Sequence, residues 1–329
     1  MKFKGWSVEA PGEELREREL SSATPGLNQV LVRISASGVN PLDAKIRAGK
    51  AAHARQPLPA VLGIEMAGTV EEVGPGATAF RPDDKVFGLV GGVGGLQGTL
   101  AEFITVDADL LAHKPKNLTM RQAAALPLNT ITAWEGLVDR AKVQPGQTVL
   151  IHAGAGGVGH VAVQIALAFG AQVFATVSPA KRTIVEALGA SPIDYRATSV
   201  EEYVAASTEG NGFDIIYDTV GGATLDASFA AVKRYTGHVL SCLGWGSHSL
   251  APLSFRGATY SGVFTLHPLI TGDGRAHHGK ILARAAALAE TGKLTPFLNE
   301  REFSTADINA AFSIVEAGTL GKVVIELGD

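Results

Sequence analysis

The sequence predicts an α/β protein in which a doubly wound parallel sheet stands beside a mostly antiparallel β domain. Three observations carry this. Residues 148–168 join an apolar strand, a glycine-rich turn and an apolar helix. Strand and helix patterns then alternate to about residue 243, the spacing of a parallel sheet. The first third of the chain instead gives strand-like runs cut by Gly, Pro and Asp clusters.

Taken in order, residues 1–6 alternate charge with apolar side chains, which suits a first strand and lacks the apolar core of a signal peptide. Further strands are expected at Gln29 to Val39, Gly68 to Val73, Lys85 to Val90 and Thr99 to Val106, with turns such as Val73-Gly74-Pro75-Gly76 between them. Thr119 and Gln122 form a Thr-x-x-Gln capping box, which predicts a helical run from there through Pro127 towards Trp134. In the turn that follows Thr148 to His152, Gly154, Gly156 and Gly159 occupy the Gly-x-Gly-x-x-Gly positions. These serve a tight turn, close backbone approach to a pyrophosphate, and packing of helix on strand. Gly157 and Val158 open the helix, whose free N–H groups and dipole suit a phosphate. With 39 glycines in 329 residues the spacing alone is weak, and the flanking strand and helix make it specific.

The second strand, Gln172 to Val177, does not end in the Asp or Glu that would hold the ribose hydroxyls of NAD. Ser178, Lys181 and Arg182 follow instead, able to bond and neutralise a phosphate, so NADPH is the expected cofactor. A helix from Val200, strands at Phe213 to Tyr217 and His238 to Leu243, a β-like stretch from Ala258 to Thr265, a helix from His278 to Thr291 and a strand from Lys322 to Leu327 complete the chain. The expected domains are 1–120, 121–265 for the cofactor, and 266–329 returning to the first, with ligands in a cleft between domains.

The net charge of −4 and the absence of a basic, aromatic-interleaved stripe exclude an electrostatic case for nucleic acid or an anionic membrane. No run is long and apolar enough to span a bilayer. The single cysteine, Cys242, excludes an intrachain disulfide and fits a cytoplasmic setting. It is expected as a buried filler rather than a nucleophile.

The runs Ala36 to Asp43, Gly63 to Val70, Ala125-Leu126-Pro127, Ile131 to Trp134 and Gly321 to Val324, with the extended glycine signature including Gln164, resemble the medium-chain dehydrogenase/reductases, in particular the zinc-independent quinone oxidoreductase branch. Leu167 departs from that signature, where a small or basic residue is usual. The resemblance covers nearly the whole chain. It implies a GroES-like catalytic domain, a Rossmann domain with NADPH, and a homodimer or homotetramer, with the edge near Tyr260 to Thr265 as the contact.

Zinc-dependent relatives use a cysteine and a histidine as ligands. Here Ser37 to Asn40 and Ile64 stand at those places, and the nine histidines are scattered, so no metal is expected. Enone-reducing members carry an Asn-Pro-x-Asp-x-Lys run like Asn40 to Lys45, which makes Asn40, Asp43 and Lys45 the catalytic candidates and implies that Lys45 bonds the substrate carbonyl; many quinone reductases carry Tyr there. A solvated Lys45 paired with Asp43 is the competing reading. Asn40, aimed by Pro41, presents its amide to nicotinamide or substrate, or simply forms the turn. By the same resemblance Thr132 lies near the nicotinamide ribose, Tyr195 covers the adenosine phosphate, and Val263 and Phe264 line the nicotinamide pocket. Gly49 to Ala60 is expected to form a mobile rim. The function expected is NADPH-dependent reduction of a small-molecule enone, enal or quinone. A quinone-only reductase and a catalytically silent NADPH-binding sensor or structural protein are the alternatives.

Overall fold

Six short apolar segments line up as one all-parallel sheet, in the order Ser191–Asp194, Gln172–Val177, Thr148–Ile151, Ile215–Asp218, His238–Ser241 and Thr259–Gly262. The four inner strands read as near-continuous apolar runs because helices cover the sheet, whereas the edge strands Ser191–Asp194 and Thr259–Gly262 are more polar and less buried. Leu150, Phe174, Phe213, Ile216, Phe229 and Val239 form one core, with Phe174 edge-on to Phe213 at 5.6 Å. Burial of each such side chain is worth about 1.5–3 kcal/mol. The chain winds outward both ways from Thr148–Ile151, so strand order reverses between that strand and Ile215–Asp218, where sheets of this kind bind ligands beyond their carboxyl ends.

The computed structural model describes residues 1–328, and this sheet belongs to a unit of residues Asn129–Thr265. The other unit joins Met1–Leu128 to the chain from Leu266 onward. Its larger sheet runs Phe303–Ser304, Val323–Glu326, Gln29–Val39, Glu65–Val73, Lys85–Leu89 and Leu111–His113, with Phe103–Asp107 also paired to Gln29–Val39. Except for Phe303–Ser304, these pairings are antiparallel. A smaller sheet holds Arg16–Ser21, Lys2–Val8 and Ala60–Val61. The last strand pairs Val323 with Val39 and Glu326 with Ala36, so the C-terminal chain is built into this sheet.

Several boundaries differ from expectation. The helical run after the Thr119–Gln122 capping box breaks into Met120–Ala124 and Pro127–Trp134, since Pro127 has no N–H to continue the first helix and instead starts the second. Met120–Ala124 packs on Gln29–Val39 and Glu65–Val73, which puts the division after Leu128 rather than after 120. The strand expected from Thr99 starts at Phe103, because Thr99 is fixed by its N–H to Gly63 O and by its hydroxyl to Glu65 O.

Candidate functional site: a glycine turn and a buried side-chain network

In the second unit, the strand Thr148–Ile151 runs through the glycine turn into the helix Gly157–Ala168. The left-handed residue of the turn is Ala153, at φ 51°, and not a glycine. Gly154 answers to packing: a Cβ there would lie 2.5 Å from the Ala175 Cβ on the next strand. Gly159 is more constrained, with its missing Cβ 2.1 Å from Ala153 O. Gly156 caps the helix in extended conformation with no side-chain cap, and Gly156 and Gly157 are exposed with Val158 half-buried beside them. The first-turn N–H groups therefore face outward with the positive end of the dipole, a donor set that fits a pyrophosphate.

Around this turn, Ser178 is half-buried and opens the short 3₁₀ turn Pro179–Lys181 without using its hydroxyl as a cap. Lys181 is half-buried. Arg182 is turned away to Glu186, 2.8 Å distant, in an exposed pair one helical turn long. Tyr195 is 53% exposed and carries the Arg196 guanidinium over its ring, with Arg196 Nε donating to its hydroxyl at 3.3 Å. The Thr132 and Thr265 hydroxyls lie 3.4 Å apart, both buried, and Tyr217 donates to Thr132 O at 2.6 Å. Val263 is buried, whereas Phe264 is partly exposed and meets Trp245 edge-on at 6.3 Å.

In the first unit the helix Pro41–Arg47 begins at Asn40, where Asp43 Oδ2 accepts the Asn40 N–H at 2.9 Å. The Asn40 amide does not face outward. Its Nδ2 donates to Glu65 Oε1 at 2.8 Å and its Oδ1 accepts from Lys322 Nζ, which also pairs with Glu65. Leu128 N donates to the other Glu65 oxygen at 2.7 Å. Glu65 is wholly buried and presses on Gly38, where a Cβ would stand 2.6 Å from its carboxylate. This network corrects two expectations: Asn40 is held as a positioning group, and Asp43 is a buried cap rather than a surface partner of Lys45. Burial raises the Asp43 carboxyl to about 7, against the lowering effect of the Asn40 N–H and Lys322. Lys45 is exposed, and no hydrogen bond or ion pair engages it among the described residues. Arg47 reaches Glu316 at 2.6 Å. Of the polar side chains from Asn40 to Arg47, Lys45 is thus the one left for a ligand.

The alcohol dehydrogenase GroES-like domain matches residues 26–116 and the zinc-binding dehydrogenase domain matches residues 188–325. The 2-methylene-furan-3-one reductase of Solanum lycopersicum is 34% identical, over 98% of this chain and 79% of that protein. The chain belongs to the medium-chain dehydrogenase/reductase superfamily. A further relative, the chloroplastic NADPH-dependent alkenal/one oxidoreductase of Arabidopsis thaliana, is 34% identical over 91% of this chain and 72% of its own length. A solved alcohol dehydrogenase superfamily protein from Novosphingobium aromaticivorans shares 58% identity, covers 99% of each chain and superposes with a TM-score of 0.96. The chain spans only 13% of a longer relative, the spectinabilin polyketide synthase system protein NorB of Streptomyces orinoci.

Although one matching domain is named for zinc, among the described residues no three His, Cys, Asp or Glu side chains gather where they could hold a metal ion. In the stretch Ser37 to Asn40, where zinc-dependent medium-chain dehydrogenases place their cysteine ligand, Ser37 is buried against Thr99 at 2.7 Å and Asn40 is bound to Glu65, and Ile64, at the histidine position, is apolar and buried. His160 contacts Gln164 at 2.9 Å, and His248 pairs with Asp226 at 2.8 Å. His152 is buried with Nδ1 3.2 Å from Thr176 Oγ1 and, among the described residues, Nε2 without a partner; burial lowers it to about 4. Cys242 is pushed up to about 12 by burial and by Asp218, which leaves no thiolate for nucleophilic work. Within the stretch Gly49 to Ala60, expected as a rim, Ala54 O accepts from Gly94 N at 2.9 Å and Gln56 accepts from Gly95 N at 2.9 Å. Glu65 and Lys322 escaped the sequence reading. A lone glutamate at the head of the apolar run Met66-Ala67-Gly68 was the signal available for the first.

Proposed function

We propose that this medium-chain reductase is a zinc-free, NADPH-dependent enzyme that reduces α,β-unsaturated carbonyl compounds, with quinones as the second acceptor class. The observation that carries the reading is Lys45, the exposed polar side chain of the helix Pro41–Arg47 that makes no hydrogen bond or ion pair among the described residues, while Asp43 is tied to Asn40 and Arg47 to Glu316. The reduced nicotinamide, when bound, supplies hydride to the β-carbon of the acceptor. The turn from Gly154 to Gly159 holds the pyrophosphate on backbone N–H groups, and Ser178, Lys181 and Tyr195 receive the adenosine phosphate, with Arg182 held back by Glu186. The relative named for NADPH and alkenal or alkenone reduction supports the same assignment.

The Lys45 ammonium donates to the acceptor's carbonyl oxygen, where negative charge gathers as the enolate forms, and a proton from solvent then adds to the α-carbon. A preorganised donor at such an oxygen is worth roughly a hundredfold in turnover. The Glu65, Asn40 and Lys322 network fixes the start of the helix that carries Lys45. The strand Thr259–Gly262 is the last in its sheet, with one side unpaired, which supports a homodimer closed through that edge, and a single cysteine suits the cytoplasm. Among the described residues no helix is long and apolar enough to cross a membrane.

The test is cofactor oxidation, NADPH and NADH in parallel, against simple enones, enals and ortho- and para-quinones, with wild type and Lys45→Met. Enone turnover that falls about a hundredfold in the variant, with NADPH affinity unchanged, is the expected result. Turnover of quinones alone would replace the acceptor assignment, and full activity in Lys45→Met would remove Lys45 from the mechanism. Sedimentation that finds only monomers would dispose of the dimer.

A further inference from the structure

We infer that Asn129 is a further cofactor-binding residue, its side-chain amide donating to an oxygen of the pyrophosphate or of the ribose next to it. The inference rests on the nicotinamide-cofactor reading above. Asn129 is the third residue of the helix Pro127–Trp134, in the same unit as the glycine turn. It is 7% exposed, and its amide makes no hydrogen bond to the protein among the described residues. Neither amide atom is fully enclosed, so the polar end of this nearly buried side chain stays within reach of a ligand. The amide is aimed at the first turn of the helix Gly157–Ala168: its Oδ1 and Nδ2 lie 3.1 and 3.2 Å from the point where a Cβ on Gly157 would stand.

That helix has no side-chain cap, so its outward N–H groups and the Asn129 amide converge on one place. Backbone donors and dipole select an anion there, and Asn129 Nδ2 adds a donor without adding charge. The same packing gives the glycine at 157 a second meaning. A Cβ there would crowd the amide and push it by a few tenths of an ångström, so the bare position and the asparagine fit each other.

The experiment measures binding to wild type, Asn129→Ala and Asn129→Asp by calorimetry, with three probes: NADPH, 2′-phospho-ADP-ribose and 2′-AMP. The second probe keeps the pyrophosphate and second ribose, and the third has neither. Loss of one hydrogen bond predicts affinity for the first two falling roughly tenfold in Asn129→Ala. A further loss is expected in Asn129→Asp, where a carboxylate would face the phosphates, while 2′-AMP binds all three proteins alike. Equal binding of 2′-phospho-ADP-ribose by wild type and both variants would overturn the inference. So would a parallel loss for 2′-AMP, which would mark a structural role. If wild type binds neither NADPH nor NADH, the cofactor reading itself fails, a result distinct from either of these.

Discussion

At the turn before the helix Gly157–Ala168 the groups offered to a ligand are backbone N–H donors, exposed because side chains are absent at Gly156 and Gly157. At the helix Pro41–Arg47 the order comes from side chains bound to one another, with Glu65 holding Asn40, Lys322 and Leu128 N at once. The first arrangement should fail when atoms are added, and the second when they are removed. A buried titratable group in each region, His152 and Asp43, should also respond to pH in opposite senses.

The largest effect should come from taking one charge out of the buried pair. Lys322→Met leaves the Glu65 carboxylate buried without its cation, at a cost of about 3–5 kcal/mol. Calorimetric melting should show the loss, and the double variant Glu65→Gln/Lys322→Met should recover a large part of it. A single variant that melts with wild type would mean that the network is not stabilised as a pair. Adding one methyl group is the matching test in the other region. Gly159→Ala places it 2.1 Å from Ala153 O and should cost about 1–3 kcal/mol along with cofactor affinity, whereas Gly156→Ala, with its nearest neighbour at 3.1 Å, should be tolerated in fold. Equal stability of the two variants would end the claim that close packing fixes these glycines differently.

The pH comparison is smaller. Asp43 rises from 3.8 to about 7 on folding, so the folded state holds its proton more tightly. The stability it contributes is full below about pH 4 and is lost as pH climbs to 7. His152 falls from 6.5 to about 4, so its contribution is full above pH 6.5 and is lost as pH drops towards 4. Denaturant unfolding at a series of pH values should show Asp43→Asn removing the first slope and His152→Leu the second. Slopes that survive both substitutions would assign the pH dependence elsewhere. Smallest of all, Lys181→Ala should weaken NADPH several-fold and leave NADH nearly unchanged, and Arg182→Ala should do less because Glu186 already holds that guanidinium. An equal loss for both cofactors would argue against a phosphate contact at Lys181.

The cofactor side of the molecule was legible early because its determinants are local. Strand, turn and helix lie within 21 consecutive residues, and glycine spacing reports directly on where backbone must approach backbone. The second strand, Gln172–Val177, and the long strand Gln29–Val39 were placed to the residue for the same reason. Less could be read where polarity had to be satisfied at a distance. Asn40 looked free to meet a ligand, and only the fold brings Lys322 to it from 282 positions away.

Asn129, Thr130 and Thr132 stand out as polar residues in the run Pro127 to Trp134, but sequence could not say that Asn129 abuts Gly157. The sequence by itself determined the parallel sheet, the glycine turn and the absence of the usual zinc ligands, since hydrophobic period, turn chemistry and residue type are properties of neighbours along the chain. Tertiary structure alone decided which polar groups remain for chemistry. A side chain is available to a ligand only if no other group in space has already satisfied it, and for Asn40, Asp43 and Lys45 that depended on Glu65 and Lys322.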